Sequence, residues 1–80
     1  MAQYIATFHT HLAALCTDRT LRAIGVTTQM TPVPRKLSSS CGTCVRYAAE
    51  DAHIDEMDTD VESVYSLSAS DEYELLYKND

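Results

Sequence analysis

The chain has 80 residues, 45% of them hydrophobic, and a net charge of −6 at neutral pH. That length makes one small domain over residues 1–80, which buries only about 60–65% of its unfolded surface and so has a thin core. The apolar content excludes wholesale disorder, and no apolar run approaches the roughly 20 residues that span a bilayer.

The N-terminus, Met1-Ala2-Gln3-Tyr4-Ile5, lacks the charged and long apolar regions of a signal peptide, which points to the cytoplasm. Charge is unevenly spread. Residues 1–48 hold five basic side chains (Arg19, Arg22, Arg35, Lys36, Arg46) against Asp18 alone, whereas residues 49–80 hold eleven acids against Lys78. A nucleic-acid binder would carry a broader basic surface, so no nucleic-acid partner is expected, and no membrane partner either. The acidic half reads as a solvated face, with docking of a basic partner or adaptation to a salty cytoplasm as alternatives.

In chain order, Tyr4 to Phe8 reads as a central strand, apolar and β-prone. Thr10 is the N-cap of a helix from about His11 to Ile24, with Leu12, Leu15, Cys16, Ala23 and Ile24 as its apolar face. Cys16 is therefore expected in the core. Gly25 stands where a glycine ends a helix. Val26 to Thr31 is a second strand, so the first 31 residues predict a right-handed βαβ unit with parallel strands. Thr43 to Ala48 predicts a third strand, with Cys44 and Arg46 on one face and Val45 and Tyr47 on the other. Ala49 to Met57 predicts a weak second helix anchored by Ala52, Ile54 and Met57. Val61 to Leu67 predicts a fourth strand, and Tyr73 to Tyr77 a final strand or short helix. The order β-α-β-β-α-β is that of a small α+β, ferredoxin-like split βαβ sandwich, with the C-terminal segment extending one edge.

The chemistry concentrates between Pro32 and Arg46, in Pro32-Val33-Pro34-Arg35-Lys36-Leu37-Ser38-Ser39-Ser40-Cys41-Gly42-Thr43-Cys44-Val45-Arg46. Both prolines stiffen its entry, and Gly42 admits a positive φ beside Cys41. A thiol near cations and backbone N–H groups ionises more easily, and the thiolate is the reactive form. Cys41 and Cys44 are thus the candidate reactive residues. Arg35, Lys36, Ser39, Ser40 and Gly42 are the candidate anion-binding groups around them. His9 and His11, at the end of the first strand, are candidate proton shuttles; their alternative role is solvent-facing or cap-packing. Three cysteines cannot make a complete disulfide framework. Cys-Gly-Thr-Cys in a reducing compartment suits redox, carrier or metal chemistry. A zinc site would need Cys16, His9, His11 or His53 to join Cys41 and Cys44, and no second pair stands at zinc-finger spacing. No cofactor is predicted: G-x-x-x-x-G-K-[ST] and G-x-G-x-x-G are both absent.

Phe8-His9-Thr10-His11-Leu12-Ala13-Ala14-Leu15 resembles the strand-to-helix junction of the small selenium/sulfur carrier-like proteins. Pro32-Val33-Pro34-Arg35-Lys36-Leu37-Ser38-Ser39-Ser40-Cys41-Gly42 is similar to that family's signature, and Val45-Arg46-Tyr47 fits the strand after it. The resemblance runs from about Tyr4 to Tyr65. It implies a cytoplasmic thiol protein that holds sulfur or selenium on Cys41 as a per-thiol and exchanges it with donor and acceptor proteins, a transfer partner more than a stand-alone enzyme. This chain departs from the pattern in two places: a shorter, more acidic stretch after the third strand, and a second thiol, Cys44, where an apolar residue is usual. Cys44 reads either as a resolving thiol that releases cargo or as a small apolar strand residue. The other readings of the whole chain are a thiol-redox or zinc-binding accessory protein using Cys41 and Cys44, and an interaction module whose acidic half docks a partner.

Overall fold

The computed structural model describes residues 1–37, 39 and 41–79. Its elements are β1 (Ala2–Phe8), α1 (His11–Ala23), β2 (Thr27–Pro32), β3 (Thr43–Ala49), a short 3₁₀ turn (Ile54–Glu56), β4 (Val61–Leu67) and β5 (Tyr73–Lys78). The strands form one five-stranded sheet in the order β2-β3-β1-β4-β5, with every neighbouring pair antiparallel. The fold is therefore a small α+β domain with one helix among the described residues.

β1 and β2 run in the same direction, and β3 lies between them, antiparallel to both. The two parallel strands of the βαβ unit are therefore not direct neighbours. The expected second helix is replaced by the single turn Ile54–Glu56. Local hydrogen bonding explains this loss. The Asp51 carboxylate accepts from the His53 N–H at 2.6 Å, His53 takes a left-handed φ of 51°, and the Tyr47 hydroxyl donates to the Ala52 carbonyl. Short polar side chains that capture nearby backbone groups compete with helix formation in this way. Ala52, Ile54 and Met57 still pack against the core, from irregular chain. The final segment is a strand and extends the β4 edge.

Helix α1 is bounded as its sequence requires. Thr10 is extended, with φ −135° and ψ 153°, and its hydroxyl accepts from the Ala13 N–H at 3.1 Å. Gly25, at φ 89°, ends the helix, while its N–H reaches Arg22 O at 3.0 Å and the Val26 N–H reaches Leu21 O at 2.9 Å. These bonds satisfy carbonyls that a helix end leaves open.

The buried face of α1 differs from the expected one. It consists of Ala13, Ala14, Thr17, Asp18 and Leu21, whereas Leu12 is 67% and Ile24 50% exposed, and Cys16 and Ala23 are exposed. The sheet decides this. Tyr4 and Tyr47 stack at 5.2 Å and, with Phe8, fill the space above β1 and β3. Only a helix face of small residues can approach such a surface closely, and Leu21 is then its one large anchor. Thr17 is buried because its Oγ1 accepts from the Asp58 N–H at 3.0 Å. Asp18 is buried beside Arg22, whose Nε lies 3.1 Å from Asp18 Oδ2 and also donates to Thr28 Oγ1 on β2.

The main core lies between α1 and the sheet face carrying Tyr4, Ala6, Phe8, Val45, Tyr47, Ala49, Val61 and Val64. A register shift between Thr7 and Phe8 lets Val61 and Val64 both face the helix. The opposite face of the sheet is also buried at its centre, since Ile5, Thr7 and Cys44 are 0% exposed. The helix assignment is tested directly by truncation. Leu21→Ala should lower stability by about 2–5 kcal/mol, and Leu12→Ala by less than about 0.5 kcal/mol, as read from urea denaturation midpoints.

Candidate functional site

The candidate residues gather at one end of the sheet. Here β1 passes into α1, β2 leaves through Pro32 and Val33, and β3 begins at Thr43. The β2–β3 ladder continues past Pro32, because the Val33 N–H donates to Gly42 O at 3.0 Å. Gly42 adopts φ 74°, a conformation an L side chain enters only with strain. This turns the chain into β3 and holds Cys41 immediately before it.

Strand alternation then separates the two thiols. Thr43, Val45 and Tyr47 face the helix, and Cys41 packs against that same core cluster, half-buried, with its Sγ donating to Thr43 O at 3.5 Å. Cys44 lies on the helix-free face, fully buried. Its Sγ is 3.2 Å from Thr31 Oγ1 and also donates to Pro32 O at 3.7 Å. Burial pushes the Cys44 thiol above its ordinary value of 9.0, against the Thr31 hydrogen bond and the Arg46 charge, which favour the thiolate; the neighbouring Cys41 adds a small push upward. The three cysteines are all free, and Cys16 is exposed on the outer face of α1, a correction to its expected place in the core.

Of the histidines, His11 is brought to the site: its Nδ1 lies 3.5 Å from Thr43 Oγ1. His9 is exposed in the same corner, and its N–H bonds to Asp60 O at 2.9 Å. The Ser39 hydroxyl donates to Phe8 O at 2.9 Å and ties the β2–β3 connection to the end of β1. Ser40 lies outside the described residues. Arg35 is exposed. Lys36 lines a groove with Leu37, Tyr65, Glu72, Tyr73 and Leu75, on the β4–β5 side of the sheet. Arg46 shares the helix-free face with Cys44. Lys36 and Arg46 are thus directed away from the face on which Cys41 packs. His53 is half-buried in the β3–β4 connection, with Nδ1 3.7 Å from Asp51 Oδ1. Among the described residues no three His, Cys, Asp or Glu side chains converge as a metal site requires.

The strand register adds residues that no sequence motif marks. Thr31, Cys44, Thr7 and Ser63 sit opposite one another in a row across the helix-free face. Thr31 holds the Cys44 thiol, while Thr7 Oγ1 is buried without a hydrogen-bond partner among the described residues. Thr43 likewise links Cys41 to His11 only because the β3 alternation turns it toward the helix.

The upward shifts of Cys44 and Tyr47 make the fold less stable at alkaline pH. Both groups are neutral in the fold and ionise more easily once unfolded, so their contribution is complete below the unfolded values. It is lost as pH rises through 9.0 for Cys44 and 10.0 for Tyr47, whose burial is also the chief cause. The urea midpoint should therefore fall from about pH 8.5 upward, and Cys44→Ala should flatten the first part of that fall in a pH series.

No helix among the described residues is long and apolar enough to cross a membrane. No curated protein and no solved structure matches the chain. A family profile does, over residues 3–65, which takes in β1 through most of β4, with Cys41 in the β2–β3 connection and Cys44 on β3. On that match the chain belongs to the Se_S_carrier family, described as "Putative Se/S carrier protein-like".

Proposed function

We propose that the protein is a sulfur or selenium carrier that holds the atom on Cys41 and passes it between donor and acceptor proteins in the cytoplasm. The observation that carries this reading is the contrast among its three thiols. Cys44 is buried, its sulfur engaged by Thr31 and Pro32, and Cys16 stands on the helix surface away from the β2–β3 connection. Cys41 is the half-exposed thiol, held at the sheet end by the Gly42 turn with His11 one residue contact away. A carrier thiol needs such a position: open to a partner on one side and fixed by backbone on the other.

The transfer is an exchange at a chalcogen atom. The Cys41 thiolate attacks the terminal sulfur or selenium of a donor per-thiol. The bond from that atom to the donor's cysteine breaks, a new bond to Cys41 Sγ forms, and the donor leaves as a thiolate. The atom's oxidation state is unchanged, so no external oxidant is required. His11 is the candidate proton acceptor for activating the thiol, since its Nδ1 lies 3.5 Å from Thr43 Oγ1 at the start of β3. The N-terminus of α1 carries no acid in its first turn, which favours a terminal per-thiol anion in this corner. Cys44, protonated and enclosed in this state, supports the carrier reading over a disulfide cycle between the two cysteines.

Reduced protein incubated with a cysteine desulfurase and cysteine should gain the mass of one sulfur atom. Cys44→Ala and Cys16→Ser should retain the gain, and Cys41→Ser should lose it, by intact-protein mass spectrometry without reductant. Loading that persists in Cys41→Ser, or that moves with Cys16, overturns the assignment. His11→Ala should slow loading several-fold at neutral pH without abolishing it.

A further inference from the structure

β5 lies just beyond the residues that match the family, and it forms one edge of the sheet. An edge strand offers unpaired N–H and C=O groups, and proteins that do not use such an edge blunt it. The other edge, β2, is polar (Thr27-Thr28-Gln29-Met30-Thr31), ends in Pro32 and is tied to α1 through Arg22 and Thr28. β5 is built differently. Its centre is Leu75-Leu76, 50% and 41% exposed. The register shift between Val64 and Tyr65 pairs Leu75 with Tyr65 and Tyr77 with Val64, which leaves Leu76 unmatched on β4.

Beside this edge lies an open groove of about 380 Å³ lined by Tyr65, Tyr73, Leu75, Lys36, Leu37 and Glu72. Lys36 and Leu37 belong to the connection that carries Cys41, four residues on from Leu37. An extended chain of that length reaches at most about 14 Å. A segment seated in this groove therefore stands within reach of the carrier cysteine's own loop.

We infer that β5 and this groove are the docking surface for a partner protein, which adds an extended segment alternating basic and apolar residues to the β5 edge. Backbone pairing along β5 supplies affinity, and alternate side chains supply specificity. One apolar side chain of the segment enters the groove against Tyr65, Tyr73 and Leu75. Its basic side chains meet Asp71, Glu72 and Glu74, all exposed along this edge. Charge selects this occupant over a second copy of the chain. The half of the sequence containing β5 carries eleven acids against one lysine, and two such edges repel. The inference rests on the carrier reading only for what docking is for; docking itself needs no cargo.

The test uses full-length ¹⁵N-labelled protein and two synthetic probes of about ten residues, one alternating lysine with valine and one alternating glutamate with valine. The lysine probe should shift the amides of Tyr73–Lys78, Tyr65 and Leu37 and slow hydrogen exchange along β5. The glutamate probe should do neither. Leu75→Lys and Leu76→Lys, both at exposed positions, should weaken the lysine probe by about tenfold each while leaving the far-UV melting curve unchanged. Added salt should weaken it further. The proposal is overturned if β5 is unperturbed by the lysine probe, if both probes act equally, or if sedimentation shows a dimer that the Leu76→Lys change dissolves. Failure of Cys41 loading with β5 binding intact would remove the carrier reading and leave the docking surface standing.

Discussion

The constraint on which the structure depends is that β1 is buried on both faces. Ile5, Ala6, Thr7 and Phe8 are all fully enclosed, yet the chain supplies one helix among the described residues. α1 covers Ala6 and Phe8. The other face, with Ile5, Thr7 and Cys44, lies opposite the helix. On that side the connection between β2 and β3 is tied to β1 by the Ser39–Phe8 hydrogen bond, and Leu37 lines a groove together with Tyr65 and Leu75. A small sheet has little apolar material to spare, and here the segment with the chemistry is also part of the sheet's cover.

That double duty explains the division between the thiols. Three residues along a chain entering a strand carry a side chain from one face of the sheet to the other. Cys41 packs beside the helix, where the Gly42 turn and the α1 N-terminus keep it near solvent. Cys44 goes under the cover, where desolvation outweighs the hydroxyl of Thr31 and the charge of Arg46 and keeps the thiol protonated. The same alternation scatters the basic residues that crowd together in the sequence. Arg46 follows Cys44 to the helix-free face, and Lys36 lines the groove on the β4–β5 side. The density of positive charge around Cys41 that the linear order suggests is thus partly dispersed in the fold. What remains at Cys41 is backbone geometry and His11.

The acidic half of the chain has a structural role as well as a charge. Asp51 and Asp58 accept backbone N–H groups within their own turns, from His53 and Asp60, and the Asp58 N–H in turn reaches Thr17 on α1. These bonds hold residues 50–60 as irregular chain against the core instead of as a helix. Beyond it, β4 and β5 are joined by a turn in which Ser68, Ser70 and Glu72 bond to one another. The most acidic stretches thus serve as turns between strands, which leaves their charge outward and β5 exposed at the edge.

Much of this was legible in the sequence, because much of it is decided within a few residues. The strands follow period-two patterns and β-prone composition, α1 begins at Thr10 and ends at Gly25, and the stretch from Pro32 to Gly42 stands out by its prolines, serines and cysteine alone. Those signals act through local backbone preference, so no distant partner is needed to read them. Only the tertiary structure decided which face of α1 turns inward, because that choice belongs to Tyr4, Phe8 and Tyr47 on the sheet, whose bulk favours Ala13 and Ala14 over Leu12 and Cys16. It also decided that residues 50–60 are not a helix, through the bond from Tyr47 to Ala52, and that Cys44 is enclosed while Cys41 is not. The fate of each thiol depends on Thr31, on Thr43 and on cover supplied across the sheet. Burial is a property of the whole packed chain, and no stretch of sequence contains it.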